Sequence, residues 1–193
     1  MNEAFERAVV GMSSPDPEVR VVSATEIHHM ARAMADHATY PWWAESELSA
    51  LLGDSNAYVT AGLAVPPGMF QKIREASGSP RLAEVPPDQD AMEFELHLPG
   101  GLSMDVLTSR DPAGDGAIAR YLRKFGKGIQ QVEYRCSDVQ RATQILQEKF
   151  ALSPLYPAPR PGADGTRINF FLVSAPGAAK VLIELYEPAP RLD

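Results

Sequence analysis

Glu184 is the side chain whose type and setting first suggest chemistry. It lies in the stretch 165–188, GTRINFFLVSAPGAAKVLIELYEP, where Ile168, Phe170 and Leu172 alternate with Arg167, Asn169 and Phe171. Beyond a turn signal at 175–178, Val181, Ile183 and Leu185 alternate with Leu182, Glu184 and Tyr186. Alternation with period two predicts a β-hairpin with one apolar face. The Glu184 carboxylate then points away from the core, either into solvent on an outer sheet face or into whatever space that face encloses. Asp105 falls on the less apolar side of 102–108, and His97 follows Glu93 and Glu95 along the alternation of 92–98. The lone Cys136 excludes an internal disulfide and reads as a packed, reduced thiol rather than a nucleophile. Arg120, Arg123, Lys124 and Lys127 would suit one phosphorylated ligand or, more simply, the solvated face and basic last turn of a helix.

Composition narrows the classes. At 193 residues with 45% hydrophobic and 22% charged content, the chain can bury a substantial core. No apolar run approaches a membrane span, and acids stand near the amino terminus where a secretory signal would carry bases, so a cytoplasmic protein with no membrane partner is expected. The net charge of -7 is uneven: residues 1–114 hold 17 acids and 7 bases, and 115–193 hold 8 acids and 11 bases. The basic group is too small for a nucleic-acid stripe, and no nucleic-acid partner is expected.

The elements that must position these side chains follow from periodicity and breakers. Residues 1–20 read as a short helix and a Ser-Pro-Asp-Pro breaker outside the core fold. The stretch 27–34 alternates as a strand, a loop with Trp42 and Trp43 leads into a helix ended by Gly53, and 57–65 reads as a second strand. The breaker-rich 66–87, with a helical piece at 69–76, reads as an insertion. Strands at 92–98 and 102–108 flank Gly100-Gly101, a helix at 116–125 leads to a glycine hinge, and a strand at 129–136 feeds a helix capped by Asp138. Ile27-His28-His29-Met30 matches Ile129-Gln130-Gln131-Val132, and Met104-Asp105-Val106 matches Ile183-Glu184-Leu185. The chain therefore reads as α+β with a duplicated βαβββ unit. Its parts are an extension (1–20), a first module (21–114) with its insertion, a linking helix and hinge (115–128) and a second module (129–193). The curved, largely antiparallel sheets of the two modules are expected to pair as a cup, within one chain or across a homodimer. The apolar sides, Met30 and Met34, Phe94 and Leu96, Val132 and Tyr134, Ile168 and Phe170, and Ile183 and Leu185, are expected to pack under the helices.

The segments IARYLRKFGKGIQQVEYRCSDV, PRPGADGTRINFFL and VLIELYEP resemble the vicinal oxygen chelate superfamily, and within it methylmalonyl-CoA epimerase, across roughly residues 84–188. The resemblance implies one divalent metal ion (Co, Ni, Mn, Zn or Mg) held by His29, Asp105, Gln131 and Glu184. Asp105 and Gln131 depart from the epimerase, which has Gln and His at those places. It implies catalytic carboxylates at Glu93 and Glu184, one removing and one returning a proton next to a carbonyl. His97, Glu133, Arg135, Arg167, Asn169 and Tyr186 are the expected substrate-binding residues, and a small carbonyl or acyl-thioester molecule is the expected substrate. The leading reading is a metal-dependent, epimerase-like isomerase. The alternatives are a lyase or cyclase acting on a larger substrate, a glyoxalase I-like lyase, and a non-catalytic ligand-binding protein. An iron dioxygenase is disfavoured because its second histidine would have to stand at Gln131.

Overall fold

The amino-terminal third of the chain is helical because its buried residues recur with helical rather than strand spacing. The computed structural model describes residues 3–54, 57–174 and 180–189. Helix α1 (Glu3–Gly11) is followed by α2 (Pro17–Thr39), whose first turn opens on Pro17. Along α2, Ala24, Ile27, His28, Ala31, Ala35 and Ala38 are buried, a stripe with spacings of three and four. The expected strand at 27–34 is therefore corrected to helix. The apparent alternation of Met30 and Met34 with their neighbours was coincidental beside this alanine-rich stripe, and alanine and methionine favour helix. A 3-10 turn (Tyr40–Ala44) and helix α3 (Ser46–Leu51) complete this part.

The chain divides into two units, Met1–Ala31 with Thr60–Gln130 and Arg32–Val59 with Gln131–Asp193. The first contains β1 (Val59–Ala64), α4 (Pro67–Ala76), β2 (Met92–Leu98), β3 (Leu102–Thr108) and α5 (Ala117–Phe125), β1 being shared at its first residue. All six residues of β1 are buried, which is why VTAGLA reads as a continuous small and apolar run rather than an alternation. β1 runs parallel to β3 and β2 antiparallel to it, so the unit's sheet order is β2-β3-β1. Gly100 and Gly101 turn β2 into β3 with φ of 81° and 75°, a conformation that costs other residues energy. Phe94, Met104 and Val106 are buried on one face, where the Phe94 ring meets Phe70 of α4 at 5.0 Å between centroids. Residues 66–87 thus hold the crossover helix of the first module. The insertion reading is corrected accordingly, and the module opens at β1 rather than at residue 21.

The second unit repeats the scheme with β4 (Gly128–Arg135), α6 (Val139–Phe150), β5 (Arg160–Pro161), β6 (Arg167–Val173) and β7 (Val181–Glu187), β4 entering it at Gln131. Asp138 caps α6 as expected, its Oδ1 accepting the Arg141 N–H at 2.9 Å. The order is β4-β7-β6-β5, with β4 parallel to β7 and the rest antiparallel. In the first unit the Ala83 N–H donates to the Glu93 carbonyl at 2.9 Å, beside β2 as short β5 lies beside β6. The architecture is α+β, with two units of the βαβββ plan. The hairpin turn signalled at 175–178 lies outside the described residues.

One face assignment changes. Ile183 and Leu185 are fully buried, as are Val132 and Tyr134, so these positions form a core as expected. Register partners across a ladder share a face, and Phe170 is the partner of Glu184 while Phe171 is that of Ile183. Phe171 and Asn169, not Ile168 and Phe170, therefore lie on the side of Ile183 and Leu185. The residue-to-residue alternation of β6 was right and its phase was inverted, because both sides of that strand carry apolar residues.

Candidate active site

Glu184 has a defined environment within the second unit. It is the register partner of Glu133 across the parallel β4–β7 pair, and Gln131 lies two residues before Glu133 on the same face of β4. All three are buried although polar, at 8%, 7% and 8% exposure for Gln131, Glu133 and Glu184. The Gln131 amide joins them: its Nε2 donates to Glu133 Oε1 at 2.9 Å and to Glu184 Oε2 at 2.7 Å. Nitrogen rather than oxygen must face the carboxylates, since an amide oxygen there would set acceptor against acceptor. Sequence reading placed Glu133 among substrate-binding residues. Its link to Glu184 through Gln131 depends on the parallel register of two strands some fifty residues apart, and no local signal carries that.

The same face supplies a mixed surface around the carboxylates. Phe170 lies beside Glu184 by register, and Arg135 is the partner of Tyr186, two residues further along each strand. The Phe170 ring meets Tyr156 edge-on at 6.0 Å, and the Arg160 guanidinium sits 4.7 Å over the Tyr156 ring. Arg135 and Tyr186 lie by register on Glu184's face. Arg167 and Asn169 do not. Arg167 lies by register on the opposite face, where its guanidinium is 3.6 Å from Glu187. Asn169 is fully buried, with Nδ2 donating to the Tyr156 carbonyl at 3.1 Å and to Thr143 Oγ1 of α6 at 3.4 Å. Both are corrected from the ligand side to the helix side of the sheet.

In the first unit, Glu93, Glu95, His97, Ser103 and Asp105 share one face of the β2–β3 ladder, with Glu95 directly opposite Asp105. His97 is exposed, its Nδ1 3.3 Å from Ser103 Oγ and 3.6 Å from Glu95 Oε1. Gly62 is the β1 partner of Asp105 as Glu133 is the β4 partner of Glu184. Two residues before Gly62 stands Thr60, which is therefore the counterpart of Gln131. Thr60 was missed because the match was made to His29. The usable signal was a buried-strand run ending in Pro66-Pro67 at a helix start, as 128–138 ends in the cap of α6.

This placement tests the expected metal ligands. Asp105, Gln131 and Glu184 keep their strand positions, but His29 lies on the exposed side of α2. Its intended place belongs to a neutral threonine hydroxyl, and Gln131 already spends its amide N–H groups on two carboxylates. The donors left are hard oxygens with no imidazole, a poor match to Co, Ni or Zn. Among the described residues no group of three or more His, Cys, Asp or Glu side chains is placed to hold an ion. The residues present do not fit Co, Ni or Zn, and the Gln131 amide, turned N–H first toward both carboxylates, presents them with no oxygen to share with Mn or Mg.

Two sequence motifs resolve as structural. Burial pushes the Cys136 thiol up to about 11, which keeps it protonated and unreactive at neutral pH. On α5, Arg123 donates to the carbonyls of Pro112 and Gly114, and Lys127 pairs with Glu6 at 2.6 Å. Arg123 thus braces the loop before α5, and Lys127 ties the chain after α5 to α1.

No family model and no curated protein sequence matches the chain. Solved structures do. Methylmalonyl-CoA epimerase from Mycobacterium tuberculosis is 31% identical, with a TM-score of 0.55 over 69% of this chain and 88% of that one. A methylmalonyl-CoA epimerase in complex with methylmalonyl-CoA and NH4+ is 26% identical, with a TM-score of 0.53 over 67% of this chain and 92% of that one. A hypothetical protein from Bacillus halodurans, 22% identical, shares the fold with a TM-score of 0.57 over 72% of this chain and 99% of that one. With its two βαβββ-type units and this likeness, the chain belongs to the vicinal oxygen chelate superfamily, on the side of the methylmalonyl-CoA epimerases.

Proposed function

We propose that the protein is an acid–base enzyme that removes and returns the proton next to the carbonyl of an acyl thioester, as an epimerase-like isomerase. The observation that carries this reading is the buried Glu184 carboxylate, oriented by the Gln131 amide on a face that also bears Phe170, Arg135 and Tyr186. A carboxylate tied by an amide hydrogen bond, short of water and beside an aromatic residue is suited to take a carbon-bound proton. Phe170 would shield an acyl group, and the Arg135 guanidinium and Tyr186 hydroxyl would offer donors to the thioester oxygen or to an anionic substituent. Glu133, the register partner of Glu184, completes the polar residues proposed for this face, and Glu93 and His97 are the carboxylate and imidazole proposed for the polar face of the first unit. Support for a coenzyme A thioester comes from the related epimerase whose structure contains methylmalonyl-CoA.

The test is solvent exchange. The protein is incubated with methylmalonyl-CoA in deuterium oxide, and loss of the α-proton signal is followed by NMR. Exchange by the native chain is expected, with Glu184→Gln lower by roughly 10² to 10⁴, the range for a positioned general base. Absence of exchange by the native chain with this and related branched acyl-CoA thioesters would remove the isomerase reading in favour of a lyase or a binding protein.

A further inference from the structure

We infer that in this chain the amide of Gln131, rather than a divalent cation, holds the Glu184 carboxylate in place, which makes Gln131 a positioning residue and the site metal-independent. The inference concerns the site to which the function above is assigned, but it rests on geometry that stands whether or not that activity is found. Glu133 and Glu184 are neighbours by register on two adjacent strands, and both are buried. Like carboxylates brought together away from water need a donor or a cation to steady them. The Gln131 side chain meets that need with its two amide hydrogens, one aimed at each carboxylate, at 2.9 Å and 2.7 Å.

An ion drawing on Glu184 and Gln131 together would require the amide to rotate and present its oxygen. That rotation breaks both hydrogen bonds, each to a charged acceptor and so of the stronger class, and turns an acceptor toward two carboxylates. The repeat offers little in return. Thr60, the counterpart of Gln131 in the first unit, brings neither charge nor imidazole, and the one histidine assigned to the set sits on the exposed side of α2. The amide of Gln131 is thus committed to orientation and not to ligation.

The experiment uses the full chain labelled with nitrogen-15. The side-chain NH2 pair of Gln131 is assigned by its disappearance in Gln131→Leu, or by through-bond correlation to its own backbone should that variant fail to fold. The pair is expected to shift in both Glu133→Gln and Glu184→Gln, and to keep its intensity when about one equivalent of Mn²⁺ is added, since no ion resides beside it. In equilibrium dialysis against about 10 µM Co²⁺, Ni²⁺ or Zn²⁺, fewer than roughly 0.1 ions per chain should be retained, far below what a resident site holds. Bleaching of the Gln131 pair by stoichiometric Mn²⁺, or one ion bound per chain and lost in Glu184→Gln, would overturn the inference. So would a Gln131 pair that does not move when Glu184 is replaced.

Discussion

Replacing Asn169 with leucine separates a ligand-binding role from a structural one. In the strand Asn169 is flanked by Ile168 and Phe170, and sequence alone makes it a plausible substrate contact. Its side chain instead ties β6 to the segment leading into β5: Nδ2 donates to the Tyr156 carbonyl at 3.1 Å, and Oδ1 accepts the Phe170 N–H at 2.9 Å. Longer bonds run to Thr143 Oγ1 at 3.4 Å and from the Tyr156 N–H at 3.3 Å. Leucine keeps the volume and removes all four. Counting only the two shorter bonds, each leaving a partner unsatisfied at about 1–3 kcal/mol, Asn169→Leu should cost roughly 2–6 kcal/mol. For a chain of this size, at about 2–4 °C per kcal/mol, that is a fall in Tm of roughly 4–24 °C. The assay is thermal and urea unfolding of both proteins, beside KM for whichever thioester the native enzyme exchanges. A Tm within 2 °C of the native value together with a raised KM would refute the face assignment of β6, and with it the register from which Phe170 was placed beside Glu184.

Other outcomes test the remaining assignments. His29→Ala, on the exposed side of α2, should change stability by no more than about 0.5 kcal/mol and leave α-proton exchange unaltered, whereas a metal ligand would abolish metal-dependent turnover. The Lys149 ammonium beside Glu45 and the Arg141 guanidinium beside Glu47, each 2.6 Å away, hold both carboxyls below their ordinary value of 4.5. Because these values are depressed in the folded chain, their stabilisation is complete above pH about 4.5 and fades as pH falls through the folded values. Protection of the α3 amides relative to their intrinsic exchange rate should fall below pH about 4.5, and a Glu45→Gln, Glu47→Gln double variant should show a weaker pH response. An unchanged pH response would mean these pairs do not anchor α3 to α6.

The strands and turns whose signals are local were legible in the sequence. Alternation gave 92–98 and 102–108 as strands, Gly100-Gly101 as the turn between them, and Asp138 as a helix cap, because each rests on neighbours a few residues apart. The paired strands 167–173 and 181–187 and the place of Glu184 among them were readable for the same reason, and segments between 118 and 188 carried the superfamily. What the sequence could not supply was the first module's starting point. Two histidines in an apolar setting at 27–34 looked like a strand opening, while the true first strand, Val59–Ala64, is a buried parallel strand with no alternation to announce it. Phase across β6 was equally open, since Ile168 and Phe170 are as apolar as Phe171 and Val173, and only the ladder partners decide which set faces α6. The Gln131 bridge belongs wholly to tertiary structure. It exists because β4 and β7 run parallel with Glu133 opposite Glu184, a register fixed by the crossover through α6 and the packing of Val132, Tyr134, Ile183 and Leu185. A residue that by type and place looked like a degenerate metal ligand is turned by that register into a hydrogen-bond donor to two buried carboxylates.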